Sequence, residues 1–367
     1  MFAALAVLLG LWLLVVGRMY RLRRPPPTPV EVTASDGWRL RMYHRVPAVQ
    51  RFEEPVLLCH GLAANHRNLD FDPPWSVAHA LADAGFHVFS VDWRGTGGSR
   101  GSPQGVHPSH YDFDDFVRQD APAFLREALA RTGARRAFWL GHSLGGLVGY
   151  ATAQGPTGTL IAGIVSLGSP AVFGYPRLYR HLLRMGHLLS WPWRLRQRWF
   201  SFAAAPFLGH LRLPLTDVVY NPEHIPPAQQ RKLAAQIVTD VGRRLLLQFD
   251  DWIECGAFRS YDGREDYRAG LTKIRVPLLI TGGSSDRLAP VEVVKEVFDR
   301  AGSEDKALLI FGTDSGDALD YGHGDLIFGA GAPTEVYPRI VDWLQTRATA
   351  VPASAGTPEP VRIQAGG

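Results

Sequence analysis

The chain has 367 residues, of which 46% are hydrophobic and 20% are charged, a composition typical of a globular protein. The formal net charge is only +4 and the basic residues are spread along the chain, which argues against a nucleic-acid-binding protein. Its two cysteines, Cys59 and Cys255, form no disulfide framework, and no cluster of histidine and cysteine in the sequence predicts a metal site.

The first 24 residues combine an apolar stretch with a basic flank. Residues 2–16 carry no charge and would span roughly 22 Å as a helix, short of a hydrocarbon core of roughly 30 Å. Extension to Tyr20, with Arg18 reaching the interface, would lengthen the span. A cleaved signal peptide has its basic residues before the apolar stretch, whereas here they follow it. We therefore expect residues 1–24 to be an uncleaved anchor, with residues 2–20 as a single transmembrane helix. The positive-inside rule then predicts a cytoplasmic catalytic domain, with export as the alternative.

Short apolar runs alternate with amphipathic stretches along the rest of the chain. The runs at 30–33 and 39–43 flank Asp36-Gly37, a pattern typical of a hairpin. The later runs are 56–59, 87–91, 137–140, 161–167, 276–281 and 307–311. This alternation predicts an α/β fold, with a mostly parallel sheet and helices on both faces. Ligands bind beyond the carboxyl ends of such strands, so the residues after each run are the candidates for chemistry.

One interval between runs is too long for a connecting loop. About 100 residues without a clear strand lie between Leu167 and Val276, and they are rich in helix formers and large aromatic side chains. They predict a helical cap at 172–267, inserted into a core formed by 28–171 and 268–347. The last segment, 348–367, is rich in Ala, Pro, Gly and Ser, which predicts a disordered tail.

The sequence Gly141-His142-Ser143-Leu144-Gly145 follows the pattern G-x-S-x-G between a predicted strand and a helical stretch. The pattern alone is a weak indicator, and a glycine-rich turn that caps a helix is the alternative. Its context favours a nucleophile, because the serine must sit on a sharp strand-to-helix turn where glycines leave room. The following helix N-terminus directs free N–H groups toward a developing oxyanion. We predict Ser143 as the nucleophile.

A serine nucleophile needs a base, and the base needs an orienting acid. Asp286 follows the apolar run at 276–281 and is the predicted acid, with Asp314 and Asp317 as rivals after the next run. His323 lies between two glycines after the last run and is the predicted base. The order serine, acid, histidine along the chain fits a sheet of this type. An ordinary loop residue is the alternative for both Asp286 and His323.

The oxyanion hole is predicted from two backbone N–H groups. One belongs to Leu144, directly after the nucleophile, and the other to Leu62, in the loop after the first core run. His60 is expected to shape the turn of that loop, and His142 to face away from the reaction. Two further histidines are predicted to lie on the surface, His107 and His110.

Five motifs together resemble the α/β-hydrolase superfamily over residues 30–346. They are His60-Gly61-Leu62, Asp92-Trp93-Arg94-Gly95-Thr96-Gly97-Gly98-Ser99, Gly141-His142-Ser143-Leu144-Gly145, Gly283-Ser284-Ser285-Asp286 and Gly322-His323-Gly324-Asp325. Two stretches are similar to the acid lipase group, 112–116 and 323–327, although Leu144 stands where that group commonly has glutamine. A weaker similarity reaches the polyhydroxyalkanoate synthases, which use cysteine where this chain has Ser143.

The resemblance implies acyl transfer through a covalent intermediate. Ser143 would attack an ester carbonyl, His323 would take its proton, and Asp286 would orient the histidine. The backbone amides of Leu62 and Leu144 would bind the oxyanion. No cofactor or metal is needed for such a reaction.

The cap and the apolar N-terminus favour lipophilic esters as substrates. The stretch 182–213 interleaves tryptophan and phenylalanine with arginine, and we expect it to form an acyl-binding pocket and to help dock on lipid. A lid whose aromatic residues simply pack on the core is the alternative. The expected partner is a small-molecule or lipid ester, with membrane association through residues 2–20 and no nucleic acid. Acyltransfer or thioester cleavage by the same triad, and a non-catalytic binding protein, are the competing functions.

Overall fold

The computed structural model describes residues 2–22, 27–173, 189–191, 193–209 and 216–352. Within them, the main sheet has eight strands in the spatial order β1-β2-β4-β3-β5-β6-β9-β10. Strand β2 is antiparallel to both of its neighbours. The other six strands from β4 onward in this spatial order, β4-β3-β5-β6-β9-β10, are parallel to one another. The strands are β1 (Thr28–Thr33), β2 (Arg39–Arg45), β3 (Val56–Cys59), β4 (Val88–Asp92), β5 (Ala137–His142), β6 (Ile161–Leu167), β7 (Arg194–Leu195), β8 (Val241–Gly242), β9 (Leu278–Gly283) and β10 (Lys306–Phe311).

The inner strands are apolar because helices cover both faces of the sheet. Every residue of β3, β4, β5, β6 and β9 is buried, as expected for parallel strands between two helical layers. The hairpin strands β1 and β2 have one solvated face, and Gly37 turns between them at a φ of +82°. The predicted α/β fold, with a mostly parallel sheet and flanking helices, is confirmed.

The helices lie mostly between the strands of the main sheet along the chain. They are α1 (Phe2–Met19), α2 (Val77–Asp83), α3 (Phe113–Asp115, Phe116–Asp120 and Ala121–Thr132), α4 (Leu144–Ala153), α5 (Arg198–Ala204), α6 (Thr216–Val219), α7 (Pro227–Gln236), α8 (Arg243–Cys255), α9 (Val291–Arg300), α10 (Asp325–Phe328) and α11 (Ala332–Gln345). The middle part of α3 is a π turn, in which the N–H of Ala121 reaches the carbonyl of Phe116 five residues earlier. Pro122 follows at once and has no N–H to donate, so the regular α pattern is interrupted there.

In the described part of the interval between β6 and β9, the chain forms the helices α5 to α8 and the two-stranded ribbon β7-β8. This is the interval in which the sequence predicts a helical cap, at 172–267. Residues 174–188, 192 and 210–215 of that interval lie outside the described residues. The exact boundaries of cap, core and tail stay predictions.

Helix α1 lies against the helices of this interval rather than standing apart. Val16 and Tyr20 are buried beside Ala205 and Ala234, and Trp12 stacks on Phe207 at 6.0 Å between ring centroids. The prediction of a transmembrane helix over residues 2–20 is not supported, because no described helix combines the length and apolar content that crossing a membrane requires.

The start of the predicted disordered tail is ordered. The N–H of Thr349 donates to Glu54, and the N–H of Glu53 donates to the Thr349 carbonyl. Ala350 also forms an isolated bridge with Phe52. Hydrogen bonds therefore hold the first residues of the predicted tail, and residues 353–367 lie outside the described residues.

Candidate active site

Ser143 occupies a strained turn between β5 and α4. Its φ of +52° is a backbone conformation that side chains other than glycine rarely adopt. The turn is held by a hydrogen bond from the N–H of Ser143 to the carbonyl of Leu167, at 2.8 Å. The strain projects the hydroxyl from the carboxyl edge of the sheet, and the side chain is half-buried.

The glycines of the G-x-S-x-G pattern allow this turn because neighbouring backbone lies against them. A Cβ on Gly141 would overlap the backbone of Gly145 and Gly146. A Cβ on Gly145 would overlap the carbonyl of Cys59 in β3. Helix α4 can therefore begin directly over the sheet, with its free N–H groups beside Ser143.

The predicted acid and base are joined by a buried hydrogen bond. His323 Nδ1 lies 2.8 Å from Asp286 Oδ2, and both residues are buried. The other carboxylate oxygen, Oδ1, accepts the N–H groups of Leu288 at 2.8 Å and Ala289 at 2.7 Å. Each oxygen of Asp286 thus has its own hydrogen-bond partners. The Asp286–His323 pair lies beside Gly168, just after β6.

The two rival carboxylates do not reach the histidine. Asp317 forms an ion pair with Arg339 at 2.7 Å and accepts the N–H of Gly312. Asp314 is exposed in the short 3₁₀ turn after β10. Of the three acidic candidates that chain order allows, Asp286 is the one that contacts His323.

His142 lies beside Ser143 and contacts His323, so it connects the serine turn to the loop that carries His323, called the histidine loop below. Its ring lies 4.8 Å from the His323 ring between centroids, and its Nε2 lies 3.3 Å from the His323 carbonyl. Within the described residues, no hydrogen bond joins the side chains of Ser143 and His323. Contacts of this kind are often long without substrate and tighten when substrate binds. Burial, followed by the charge of His323, lowers the pKa of His142, so this ring is neutral.

Asn68 is a residue that sequence reasoning missed. Its Oδ1 accepts the N–H of Gly61 at 3.1 Å and contacts His142 Nδ1 at 3.0 Å. One buried amide oxygen therefore ties the loop after β3 to the residue beside the nucleophile. No local pattern marks this role, because Asn68 is 74 residues away from its partner.

The two amides predicted for the oxyanion hole lie around one small cavity. Leu62 and Leu144 both line it, together with His60, Gly61 and Ala63 of the same loop and Val241 of β8. The structure therefore brings together the loop after β3 and the start of α4, as an oxyanion hole requires. Binding of an oxyanion by these two amides stays a prediction.

The cap interval forms hydrogen bonds with the loop after β3, which carries Leu62 and is called the oxyanion loop below. Thr239 donates from its N–H to the carbonyl of Ala63 at 2.8 Å and from its hydroxyl to the carbonyl of Ala64 at 2.9 Å. The side chain of Asn65 donates to the carbonyls of Gln236 and Ile237, both at 2.9 Å. The loop geometry therefore depends on residues more than 170 positions further along the chain.

The cap interval also holds the histidine loop, through Asp325. This buried carboxylate accepts the N–H of Gly322 at 2.8 Å and of Asn221 at 3.0 Å, and contacts His224 Nδ1 at 3.0 Å. The N–H of Gly324 donates to the carbonyl of Val219 at 2.7 Å. Burial raises the pKa of Asp325 above its ordinary value. The sequence shows Asp325 only as part of a motif, without its partners.

The remaining histidines lie where the sequence places them. His60 is buried, with Nδ1 at 2.8 Å from the Gly61 carbonyl and Nε2 accepting the N–H of Trp93. It therefore holds the turn of the oxyanion loop, and burial lowers its pKa to about 4. His107 and His110 are exposed. Among the described residues, no group of three histidine, cysteine or acidic side chains could hold a metal ion.

Comparison with known families gives a match over most of the chain. Residues 50–313 match the family Hydrolase_4, described as serine aminopeptidase, S33. The match includes Ser143 and Asp286 and ends before His323, whose place therefore rests on the structure.

Among curated proteins, the chain is similar to lipases. Mouse (Mus musculus) gastric triacylglycerol lipase is 32% identical over 136 residues, which are 34% of this chain and 34% of the lipase. Mouse lipase member K is 23% identical over 356 residues, covering 86% of this chain and 87% of that protein. The stretch matched in the gastric lipases thus spans about a third of their length.

Among solved structures, a soluble variant of monoglyceride lipase from Saccharomyces cerevisiae has a TM-score of 0.61 at 17% identity, covering 90% of this chain and 98% of that one. At such low identity the likeness supports the shared fold.

Proposed function

Because this chain belongs to the Hydrolase_4 family of α/β-hydrolases, we propose that it is a serine hydrolase that cleaves carboxylic esters. The observation that carries the proposal is the buried His323–Asp286 pair next to the strained Ser143 turn. An imidazole held at Nδ1 by a carboxylate presents Nε2 as a base, and a serine on such a turn presents its hydroxyl.

In the first half of the reaction, the hydroxyl of Ser143 attacks the ester carbonyl while His323 Nε2 takes its proton. The amides of Leu62 and Leu144 stabilise the negative charge on the carbonyl oxygen. The tetrahedral intermediate then collapses, and the imidazolium of His323 gives its proton to the leaving alcohol. The acyl group remains bound to Ser143 as an ester.

In the second half, His323 takes a proton from water, and the resulting nucleophile attacks the acyl-enzyme. The same two amides stabilise the second oxyanion, and the proton returns to Ser143 as the acid leaves. Throughout, Asp286 fixes the orientation of the ring and stabilises its positive charge.

Lipophilic acyl esters are the substrates that we propose. The lipases among the relatives support this class, and so do the exposed aromatic side chains of α5 and its surroundings. Association with a membrane through residues 2–20, with the catalytic domain in the cytoplasm, completes the proposal. The apolar composition and basic flank of those residues support it.

An active-site probe tests the nucleophile. A fluorophosphonate should label the full-length protein and should fail to label Ser143→Ala, because the probe reacts with an activated serine. A matched control is Ser169→Ala, a buried serine just beyond β6 whose hydroxyl contacts the Leu167 carbonyl. It should still be labelled. Equal labelling of Ser143→Ala would contradict the proposal.

A substrate panel then separates the functions that share this chemistry. We expect medium- and long-chain oxygen esters to be hydrolysed faster than acetyl esters. Faster cleavage of thioesters, transfer to an added alcohol in preference to water, or release of amino acids from peptides would each replace ester hydrolysis as the function. A steep preference for acetyl esters would exclude lipophilic substrates.

A further inference from the structure

Helix α1 presents an apolar face to the solvent. Its inward residues, Leu13, Val16 and Tyr20, follow helical spacing and are partly or fully buried. The outward residues are large and apolar, with high exposed fractions: Val7 62%, Leu8 63%, Leu11 54%, Leu14 64%, Val15 48% and Met19 59%. A helix with apolar side chains this exposed is rare on a protein that meets only water, and marks a binding surface.

The inward side fixes α1 to the cap interval. Trp12 donates from its indole N–H to the carbonyl of Ala203 at 3.2 Å. Val16 and Tyr20 pack in one cluster with Ala205 of the 3₁₀ turn after α5 and Ala234 of α7. The exposed side of α1 is therefore carried by the same group of helices that borders the active site.

The cap interval continues this apolar face. Trp199 is 62% exposed, Phe200 77% and Phe207 56%. Phe207 stacks on Trp12, and Trp199 meets Phe202 edge-on at 6.2 Å between centroids. Because Phe202 also packs at α1, the two sets of side chains form one surface, which we call the α1–α5 face.

The two segments that form the α1–α5 face carry charges of one sign. Residues 2–24 and 193–209 contain arginine but no aspartate or glutamate. Arg18, Arg196 and Arg198 are exposed there, and Arg198 lies over the ring of Trp199 at 5.6 Å. Burial, followed by the charge of Arg198, lowers the pKa of Arg100.

Asp240 is the acidic group that faces this cluster, and it is already engaged. It lies 3.6 Å from Arg194 and accepts the N–H of Arg198 at 3.0 Å. The exposed arginines at the edge of the face therefore remain available to an anionic partner. Apolar and aromatic side chains bordered by arginine are the composition of a segment that lies in a lipid interface.

The face is also close to the oxyanion loop. Gln197, just before α5, donates to the Thr239 carbonyl at 3.0 Å, and the neighbouring Asp240 accepts from Arg198. Thr239 in turn donates to Ala63 and Ala64. Two hydrogen-bonded steps therefore separate the exposed aromatic side chains from the loop that carries Leu62.

We propose that the α1–α5 face binds the surface of an anionic lipid bilayer, with α1 and the cap helices docking together as one unit. The inference deepens the proposed membrane association of residues 2–20, and it rests on the proposed ester hydrolysis only where it makes the lipid the source of the substrate. Docking itself requires no catalysis, because it uses burial of the outward side chains and attraction between arginine and lipid phosphate. Docking would bring the cap interval, which contacts the loop of Leu62, to the bilayer, where a lipophilic ester is dissolved.

Binding to lipid vesicles tests the proposal. The full chain with Ser143→Ala, which leaves the lipids intact, is mixed with phosphatidylcholine vesicles with or without phosphatidylglycerol, and bound protein is separated by flotation. We expect tighter binding to the anionic vesicles, weakened by salt. Adding Trp199→Ser and Phe200→Ser should weaken binding by about tenfold or more, since two large apolar side chains are lost.

Two further variants separate the contributions. Val46→Ser with Val49→Ser removes two exposed apolar side chains outside the face and should leave binding unchanged within about twofold. Arg196→Gln with Arg198→Gln should reduce the preference for anionic vesicles while binding to phosphatidylcholine alone changes little.

Three results would overturn the proposal. In the first, Trp199→Ser with Phe200→Ser binds as tightly as its parent, so that α1 alone provides the affinity. In the second, the parent does not bind vesicles and forms a dimer that the same substitutions dissociate, so that a second copy covers the face. In the third, the Arg196 and Arg198 variant keeps its full preference for anionic lipid. Hydrolysis of a short water-soluble ester without vesicles tests the proposed function separately, with Ser143 intact.

Discussion

At the scale of single residues, both carboxylate oxygens of Asp286 have hydrogen-bond partners that fix its orientation. One oxygen accepts two backbone N–H groups and the other contacts His323 Nδ1. The backbone contacts fix the carboxylate plane, and the plane fixes the imidazole. Because the carboxylate accepts at Nδ1, the proton of a neutral ring is held there and Nε2 is left unprotonated.

We expect Asp286→Asn to lower kcat by about 10⁴-fold, because an amide can stabilise the wrong ring tautomer and carries no charge. Steady-state hydrolysis of a chromogenic ester measures the loss. Asp314→Asn is the matched control, since Asp314 is exposed after the neighbouring strand, and its kcat should stay within about twofold. Equal losses in the two variants would count against Asp286 as the acid.

Asn68 provides a second prediction at this scale. Asn68→Ala removes the oxygen shared by the N–H of Gly61 and by His142, so the oxyanion loop loses its tie to the serine turn. We expect kcat to fall by about tenfold or more with little change in KM, since the loss concerns the transition state. Chemical denaturation should still show a folded protein, and an unchanged kcat would rule out this positioning role.

The sequence could predict the residues that local patterns mark. Ser143 follows from its strand–turn–helix context, and chain order led to Asp286 and His323, although it left Asp314 and Asp317 open. Asn68 and Thr239 could not be found in this way. Their roles come from hydrogen bonds to residues 74 and 175 positions away, and such contacts leave no periodicity in the chain.

At the scale of elements, the contact of α4 with β3 decides whether the serine turn can form. The helix begins with Leu144 and lies so close to the sheet that the first turn tolerates only glycine against Cys59. Trp139 in β5 reinforces the contact by donating from its indole to the Gly145 carbonyl at 2.9 Å. The strand, the turn and the helix are therefore one packed unit.

Gly145→Ala should lower the free energy of unfolding by about 3 kcal/mol, because the added methyl group overlaps backbone that cannot move aside. Gly155→Ala, just beyond the far end of the same helix, is the control. Its Cβ would meet nothing closer than 4.0 Å, so a change within about 0.5 kcal/mol is expected. Urea denaturation measures both, and equal effects would mean that the contact does not limit stability.

Strands and α1 show opposite outcomes of element prediction. The apolar runs of the inner strands predict their positions well, because burial on both faces leaves a continuous apolar sequence. The apolar sequence of a helix such as α1 does not show whether the helix packs against protein or against lipid. The buried contacts of Val16 and Tyr20 with Ala205 depend on the arrangement of the cap helices, which the N-terminal sequence cannot encode by itself.

At the scale of the whole molecule, buried neutral histidines make stability depend on pH. Burial lowers the pKa of His60 to about 4, while in the unfolded chain the value is about 6.5. The unfolded chain therefore binds more protons between these values. The stabilisation is complete above pH 6.5 and is lost as the pH falls toward 4.

We expect the free energy of unfolding to decrease by on the order of 3 kcal/mol between pH 7 and pH 4 from His60 alone. Urea denaturation across this range measures the slope. His60→Asn should flatten the slope, whereas His107→Asn, at an exposed position, should leave it as in the wild type. A slope that is unaffected by His60→Asn would exclude this histidine as the source.

The hydrogen bonds that run from the cap interval to the loop after β3 and to the loop of His323 set a condition for exchanging caps between relatives. Thr239 reaches the loop after β3, and Val219 and His224 reach the loop of His323. A chimera that imports a foreign cap to change the accepted acyl chain would break these bonds unless the recipient positions, Asn65 and Asp325, were matched as well. Exchanging the cap would therefore change both the selectivity for the acyl chain and the positions of the candidate catalytic residues. A donor cap should be chosen first for the polar residues that contact the core, and only then for its pocket.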